Sequence, residues 1–396
     1  MSDGAVPEAI DLRQTLARRA QARINLAAVE RNCARLRTEL RHGAKLCAVV
    51  KADGYGHGAV QSARAVIAGG ASFLAVAEAH EAHELREAGL RDVPILVMGA
   101  LTQVELEEAL AADADVVVWS ERYLQAVAAA GGGRVHVKLD SGMGRLGTRD
   151  PAEATRVVAA AQETPGIELV GLMTHFATAD DLKDDGFFTR QLETFTSWAR
   201  ALKERHPDLV VHAANSAAML RDADAQFDMV RCGIAIYGMD PFGLDPASRG
   251  LEPALELSSY VVEVKSCAAG ESAGYGRQFI AEHDTSIGVL PIGYGDGWRR
   301  GLSNNADVLI GGRRHPLAGT VSMDSLTVDL GSDADAEQLR GERAVLIGFQ
   351  GSERITAEEV ARRLETINYE VTCGLTPRVP RTYHRDGGPV DVIRPE

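Results

Sequence analysis

Residues 46–52 read LCAVVKA, a short apolar run that ends beside a lysine, and this pattern recurs along the first 235 or so residues. Each run is rich in Val, Ile, Leu or Ala and is followed by a stretch with the pattern of a helix. Seven further runs follow: FLAVA (73–77), PILVMG (94–99), DVVVW (115–119), RVHVKLD (134–140), LVGLMTHF (169–176), VVHAAN (210–215) and FDMVRCG (227–233). Most of them lack a clean alternation of polar and apolar residues, as expected for parallel strands that are buried on both faces.

Eight strand–helix units in about 200 residues predict an α/β fold of the (β/α)8 barrel type. A doubly wound parallel sheet is the alternative, but the units are regular and contain no Gly-rich dinucleotide-binding turn. The intervening segments carry helix signals: Asp150 and Pro151, for example, are placed as the N-cap and first residue of a helix. We therefore expect a barrel over residues 20–253.

The pattern changes after about residue 253. Runs such as YVVEVKS (260–266), TSIGVLP (285–291), ADVLI (306–310), LTVDL (326–330) and AVLIGF (344–349) are separated by Gly, Asn and Asp residues that are typical of turns. This pattern predicts a mainly antiparallel β domain over residues 254–396, interrupted by one helix at 356–366. Residues 1–19 are expected to form a flexible N-terminal extension.

The composition argues against several classes of function. The formal net charge of −14 argues against nucleic acid or an anionic membrane as the main partner. No apolar run reaches the roughly 20 residues that a membrane helix needs, and the first residues contain no hydrophobic signal core. The five cysteines are scattered and lack metal-ligand spacing, which indicates free thiols in a reducing compartment and no metal site. We expect a cytoplasmic protein.

Five of the predicted strands end in residues suited to binding or catalysis, and in barrel enzymes the active site lies at these carboxyl ends. Lys51 ends the first strand. Because a charged amine is costly to bury in an apolar strand, this lysine suits a nucleophile or a Schiff-base amine. The other ends carry, in chain order, Lys138 and the turn that delivers Arg145, then His175, then Asn215 and Ser216, and then Arg231.

The last two strand ends favour a phosphorylated ligand. Phosphate groups in such barrels are often bound by the loops after the seventh and eighth strands. Ser216 can cap the short helix that follows it, and the backbone N–H groups at Gly233 and Ile234 can receive phosphate oxygens. The residues therefore predict a phosphorylated ligand that carries a reactive aldehyde near Lys51.

Several motifs, in this order along the chain, resemble those of alanine racemases: AVVKADGYGHG (48–58), KLDSGMGRLG (138–147), THF (174–176), ANS (214–216), RCGIAIYG (231–238), GYGDG (293–297) and VSMDS (321–325). The lysine motif and the segment that begins at Lys138 are specific, whereas GYG and THF would be weak alone. The resemblance covers the chain from about residue 20 to 385. It implies a fold-type III pyridoxal-phosphate enzyme that forms a head-to-tail homodimer with active sites shared between subunits.

The resemblance also implies roles for single residues. Lys51 would bind pyridoxal 5'-phosphate covalently and act as the base on one face of the substrate Cα, and Tyr275 of the partner subunit would act on the other face. The cofactor would further contact Tyr55, His175, Asn215, Ser216, Arg231, Gly233, Ile234 and Tyr369. The substrate would contact Arg145, Tyr294, and Met323 and Asp324 of the partner subunit. Lys138 matches a lysine that is carbamylated in many relatives.

These residue types suit racemisation, which needs one base on each side of Cα. A tyrosine phenol is neutral at pH 7, so Tyr275 needs nearby positive charge to act as a phenolate; Tyr294 is the alternative second base. Arg231 would face the pyridine nitrogen of the cofactor. Because arginine stays protonated, Arg231 would keep that nitrogen unprotonated, which limits side reactions such as transamination.

The expected function is the interconversion of L-alanine and D-alanine, which supplies D-alanine for peptidoglycan. A racemase of serine or lysine is one alternative. A fold-type III amino-acid decarboxylase is another, although it should carry a cysteine–aspartate motif in place of Met323 and Asp324. A non-enzymatic cofactor-handling protein is the third, but small relatives of that kind consist of the barrel alone.

Overall fold

The computed structural model describes residues 19–389 of the chain. The described residues form two compact units: the barrel unit contains Asn25–Ala254 and the residues from Tyr383 on, and the β unit contains the residues up to Ile24 and Leu255–Thr382. The predicted extension, residues 1–19, lies outside the described residues except for Arg19.

The N-terminal strand β1 (Gln21–Asn25) groups differently from the sequence-based division. Its residue Ile24 pairs with Leu255 in an antiparallel register, so the contacts place Gln21–Ile24 in the β unit, whereas the sequence pattern counts residues 20–24 with the barrel. The domain bounds 20–253 and 254–396 remain a prediction.

The barrel unit is built on eight parallel strands. They are β2 (Lys45–Val49), β3 (Phe73–Val76), β4 (Ile95–Val97), β5 (Asp115–Val118), β6 (Gly133–Lys138), β7 (Ile167–Met173), β8 (Val210–His212) and β9 (Met229–Cys232). Each strand pairs with the next, and β9 pairs with β2 to close the barrel, with Cys47 opposite Arg231. Each predicted run overlaps one of these strands, so the predicted (β/α)8 barrel is confirmed.

Helices connect the strands, and the longer ones bury apolar residues. They are α1 (Leu26–Arg37), α2 (Lys51–Tyr55), α3 (Ala59–Ala68), α4 (Ala79–Glu87), α5 (Gln103–Ala111), α6 (Glu121–Ala129), α7 (Pro151–Glu163), α8 (Phe187–Lys203) and α9 (Ser216–Arg221). In α8 the buried residues Phe188, Leu192 and Phe195 recur every three or four positions, as in an amphipathic helix. Asp150 caps α7 by accepting the Ala152 N–H at 2.8 Å, as predicted.

The β unit consists mainly of antiparallel strands, which confirms the prediction for this region. They are β10 (Leu255–Tyr260), β11 (Glu263–Cys267), β12 (Ser272–Ala273), β13 (Phe279–Ile280), β14 (Thr285–Leu290), β15 (Asp307–Ile310), β16 (Arg313–Pro316), β17 (Leu326–Gly331), β18 (Arg343–Gln350) and β19 (Glu353–Ile355). Two main sheets run in the orders β16-β15-β18-β10-β1 and β11-β14-β17. The run YVVEVKS, predicted as one strand, is divided between β10 and β11.

Three short helices accompany these strands: α10 (Ala336–Leu339), α11 (Ala357–Arg363) and α12 (Asn368–Cys373). Helix α11 is the one predicted at 356–366, and Thr356 caps it by accepting the Glu359 N–H at 3.2 Å. The described chain ends in a hairpin of β20 (Arg381–Arg385) and β21 (Gly388–Pro389).

Within residues 19–389, no helix has the length and apolar character that a membrane crossing requires. The same residues contain no group of three or more His, Cys, Asp or Glu side chains arranged to hold a metal ion.

Gly238 permits a close approach between two segments of the barrel unit. Its φ of 78° lies in the left-handed region, and a Cβ on this residue would lie 1.7 Å from the carbonyl oxygen of Glu252. A side chain could therefore enter only if the backbone around residue 252 moved.

We expect Gly238→Ala to lower the free energy of unfolding by about 3 kcal/mol, because left-handed strain adds to displacement of packed backbone. Gly243→Ala is the matched control: its φ is 70°, but no atom lies within 4 Å of the added Cβ. The control should lose only about 1 kcal/mol. Urea denaturation measures both losses, and equal losses would show that the contact with Glu252 is unimportant.

Candidate active site

The carboxyl end of the barrel gathers positive charge. Lys51 begins α2 two residues after the last residue of β2, Lys138 ends β6, and Arg231 lies near the end of β9. Burial, followed by the charges of Arg231, Lys138, Arg145 and Lys51, holds the pKa of His175 well below its usual range. The structure therefore brings together five of the residues that were predicted from strand ends.

The turn after β2 is left-handed. Ala52 (φ 52°, ψ 53°) and Asp53 (φ 51°, ψ 49°) both adopt this conformation, which costs about 1–2 kcal/mol for each residue with a Cβ. Buried Glu81 stabilises the turn, since one carboxylate oxygen accepts the Ala52 N–H at 2.5 Å and the other accepts the Ala77 N–H at 2.8 Å. Glu81 thus ties the residue after Lys51 to the end of β3.

Sequence reasoning did not identify Glu81. The segment around it, HEAHELREAG, shows only the pattern of a helix. Its position as the third residue of α4 is the one local signal, because a glutamate there often accepts backbone N–H groups at the start of a helix.

Four of the predicted cofactor-binding residues lie together. The Ser216 Oγ accepts the Gly233 N–H at 3.1 Å and the Ala235 N–H at 3.4 Å. A Cβ on residue 233 would lie 2.2 Å from the Tyr55 hydroxyl oxygen, so glycine is required for this tyrosine to approach the backbone. Ile234 follows directly. Hydroxyl groups and backbone N–H groups therefore line one corner of the barrel mouth.

Asn215 acts as a helix cap at this corner. Its side-chain oxygen accepts the Ala218 N–H at 2.9 Å, at the start of α9. The cap fixes the backbone that carries Ser216.

Arg231 is a buried cation, with 2% of its surface exposed. Its guanidinium donates to the ring nitrogens of His212 (2.8 Å) and His175 (3.1 Å), and to the carbonyl oxygens of Thr174 (2.9 Å) and Ala213 (3.0 Å). All four acceptors are uncharged. Burial lowers the pKa of Arg231 to about 10, which leaves the guanidinium protonated at neutral pH.

Lys138 is the second buried cation of the barrel. Burial, then the charges of Arg231 and Arg145, lower its pKa to about 8. Arg145 itself is exposed. Buried Asp140 shapes the turn that delivers Arg145, because its carboxylate accepts the backbone N–H groups of Gly142 and Gly144 at 3.0 Å.

Four other predicted residues belong to exposed segments of the β unit: Tyr275, Tyr294, Met323 and Asp324. The loop at 320–324 contacts both tyrosine segments. The Thr320 hydroxyl donates to the Tyr275 carbonyl oxygen at 2.8 Å, and the Tyr294 N–H donates to the Ser322 carbonyl oxygen at 3.0 Å. The β unit thus holds these residues together on its own surface. Tyr369 lies in α12 of the same unit and is partly buried.

A buried carboxylate holds the turn that carries Tyr294. Asp296 accepts the Gly293 N–H at 2.9 Å and pairs with Arg378 at 3.5 Å. Arg378 also donates to a carboxylate oxygen of Asp324 at 2.5 Å. Arg378, which sequence reasoning did not identify, therefore connects the Tyr294 turn to Asp324.

Comparison with known proteins gives matches over nearly the whole chain. Family models described as "Alanine racemase, N-terminal domain" and "Alanine racemase, C-terminal domain" match residues 24–241 and 254–383. Alanine racemase 1 of Bacillus subtilis is 41% identical over 381 residues, which cover 94% of this chain and 95% of that protein. The alanine racemase of Geobacillus stearothermophilus is 42% identical over 370 residues, which cover 92% and 93%.

Solved structures give the same result. The alanine racemase from E. faecalis has a TM-score of 0.86 at 38% identity, over 93% of this chain and 99% of that one. The alanine racemase from Streptomyces coelicolor A3(2) has a TM-score of 0.86 at 37% identity, over 92% and 97%. The chain therefore belongs to the alanine racemase family, whose members are pyridoxal-phosphate-dependent isomerases.

Proposed function

We propose that this protein interconverts L-alanine and D-alanine, with Lys51 and Tyr275 as the two bases. The observation that carries the proposal is the gathering of Lys51, Arg231 and the Ser216–Gly233 corner at one end of the barrel. D-alanine made in this way would supply peptidoglycan, and we propose that the reaction takes place in the cytoplasm.

The residues at the barrel mouth fit pyridoxal 5'-phosphate, which carries an aldehyde, a phosphate and a pyridine nitrogen. Lys51 offers an amine to the aldehyde, and Arg231 offers a donor to the nitrogen. Because residue 233 has no Cβ, the Tyr55 hydroxyl comes close to the backbone there, and this hydroxyl together with the Ile234 N–H would bind a phosphate. Tyr369 would add a further hydroxyl contact to the phosphate.

The two bases would divide the proton transfers between the two faces of the substrate. When bound, the cofactor withdraws electrons from the substrate Cα and makes its proton acidic. Lys51 would take or return a proton on one face, and Tyr275 of the partner subunit would do so on the other. Because the second transfer occurs on the face opposite to the first, the configuration inverts.

Arg231 would set the electronic character of the site. A guanidinium stays protonated and can only donate, so the pyridine nitrogen that faces it must accept. Arg231 would thus keep that nitrogen unprotonated, which would favour return of the proton to Cα over transamination. His175 would lie behind the cofactor, and Arg145 would bind the substrate carboxylate.

A homodimer would complete the site. Tyr275 is 72% exposed and Met323 is 51% exposed in the single chain, both belong to segments joined through the loop at 320–324, and contiguous exposed apolar surface often marks a protein–protein contact. We propose that Met323 and Asp324 of the partner subunit line the substrate pocket and that Tyr294 lies at its entrance.

The assignment of Tyr275 can be tested by following the alanine α-proton in D2O by NMR, with L-alanine and D-alanine supplied separately. Tyr275→Phe should slow racemisation in both directions by about 10²–10⁴-fold, since a base is missing from every turnover. Lys51 remains, so one enantiomer should still exchange its α-proton without inversion.

Tyr294→Phe is the control, and it should retain exchange from both enantiomers together with racemisation. Lys51→Ala should lose both exchanges and the absorption of the bound cofactor. If Tyr275→Phe racemised alanine at the wild-type rate while Tyr294→Phe did not, the second base would be Tyr294.

We also propose that Lys138 is carbamylated. A pKa of about 8 makes its amine partly neutral at physiological pH, and a neutral amine adds to carbon dioxide to give a carbamate and a proton. Two cations, Arg231 and Arg145, act on this position and would stabilise the resulting anion.

Purified protein in ¹³C-bicarbonate should therefore show a carbamate carbon by NMR that is absent from Lys138→Met. At constant dissolved carbon dioxide the signal should grow from pH 6 to pH 8, because the neutral fraction of the amine rises from about 1% to about one half. A spectrum without a Lys138-dependent signal at pH 8 would contradict the assignment.

A further inference from the structure

A chain of hydrogen bonds crosses the interior of the barrel from Arg231 to Asp115. The Arg231 guanidinium contacts Nδ1 of His212 at 2.8 Å, and Nε2 of His212 contacts Nδ1 of His136 at 2.9 Å. Nε2 of His136 then contacts Oδ2 of Asp115 at 3.2 Å. Asp115, His136, His212 and Arg231 are all at most 3% exposed. These hydrogen bonds thus connect a residue near the carboxyl end of β9 to the first residue of β5.

The protons along this chain can be placed by elimination. A guanidinium has only donors, so Nδ1 of His212 must accept and the ring proton must lie on Nε2. That N–H donates to Nδ1 of His136, which puts the His136 proton on Nε2, where it meets the Asp115 carboxylate. One arrangement therefore satisfies every bond, and both imidazoles in it are neutral. In agreement, burial and then the charge of Arg231 hold the pKa of His212 well below its usual range.

Two further residues are arranged around these hydrogen bonds. Gly171 in β7 lies between the two histidine strands, and a Cβ there would lie 2.1 Å from Nδ1 of His136, in the path of the bond to His212. Arg134 donates to Oδ1 of Asp115 at 2.5 Å. The two oxygens of Asp115 thus have different partners, since one faces Arg134 and the other faces His136.

We propose that Asp115 and His136 are positioning residues: they fix the tautomer of His212 and so present an acceptor to Arg231, the residue that faces the cofactor nitrogen. This inference rests on the proposed function for its consequence in catalysis. The tautomers themselves can be measured independently of any reaction.

The reversed tautomer shows why position follows from proton placement. If His212 carried its proton on Nδ1, that N–H would point at an N–H of Arg231, and two buried donors would face each other. The guanidinium would then lose one of its four acceptors and turn away.

Asparagine at position 115 should produce this reversal. Arg134 can only donate, so it selects the amide oxygen, and the amide NH2 group is left to face Nε2 of His136. His136 would then accept at Nε2 and carry its proton on Nδ1, and His212 would follow at the expense of its bond to Arg231, which can only donate. Asp115→Asn thus changes one atom at the far end of the barrel and is expected to reverse both imidazoles.

The test is ¹⁵N NMR of the holoenzyme with ¹⁵N-labelled histidine, assigned with His136→Gln and His212→Gln. In the wild type, both rings should show protonated Nε2 and unprotonated Nδ1 at neutral pH. A wild-type His212 with its proton on Nδ1, or in a mixture of tautomers, would overturn the proposal without any need for the Asp115 variant.

Asp115→Asn should reverse both tautomers, shift the absorption of the bound cofactor, and lower kcat for alanine by about tenfold or more. Asp113→Asn is the matched control. Asp113 pairs with Arg134 at 2.8 Å and its side chain is 73% exposed, but its partner is Arg134 rather than His136. This control should keep the wild-type tautomers, absorption and kcat.

If Asp115 had a purely structural role, Asp115→Asn would lower the melting temperature and leave the tautomers and the cofactor absorption unchanged. That result would overturn the proposal. If the tautomers were as expected but the protein did not racemise alanine, the result would contradict only the proposed function.

Discussion

The buried guanidinium of Arg231 is the interaction on which the rest of the site depends. Its four described acceptors are uncharged, so its positive charge is not cancelled where it is held. That charge contributes to the lowered pKa values of His175, His212 and Lys138. The end of the barrel is therefore kept positive, which suits a ligand with a phosphate and a substrate with a carboxylate.

The barrel provides what a buried cation of this kind requires. Carbonyl oxygens after β7 and β8 and two imidazoles surround the guanidinium, and the imidazole of His212 is itself held by a bond to His136 in β6. A second constraint lies after β2, the strand that pairs with β9 to close the barrel. The strained, left-handed turn after Lys51 persists because the Glu81 carboxylate accepts the Ala52 N–H. A rigid cation and a rigid lysine segment together define where a cofactor would lie.

Much of the fold could be predicted from the sequence, because each barrel strand is a short apolar run bounded by polar residues. The candidate site residues of the barrel could be predicted for a similar reason, since most of them lie at or just after the ends of those runs. The bounds were less accurate: the run at 94–99 contains a strand of only three residues, Ile95–Val97, because apolar residues continue past the last paired position.

Contacts between distant parts of the chain could not be predicted. Nothing near β1 indicates that its partner is β10, more than 200 residues away. The links from Asp115 to His136 and on to His212 depend on barrel closure and on the space above Gly171. The one local signal of these links in the sequence was His136, a histidine within a strand predicted to be buried on both faces. Arg378 gave none, because its partners Asp296 and Asp324 lie in other loops.

The most direct measurement is chiral chromatography of L-alanine incubated with the purified protein and pyridoxal phosphate, beside L-serine and L-lysine. We predict rapid conversion of L-alanine to an equal mixture of enantiomers, with the other two amino acids converted slowly. Cofactor binding without any D-amino acid, or release of carbon dioxide from a substrate, would contradict it.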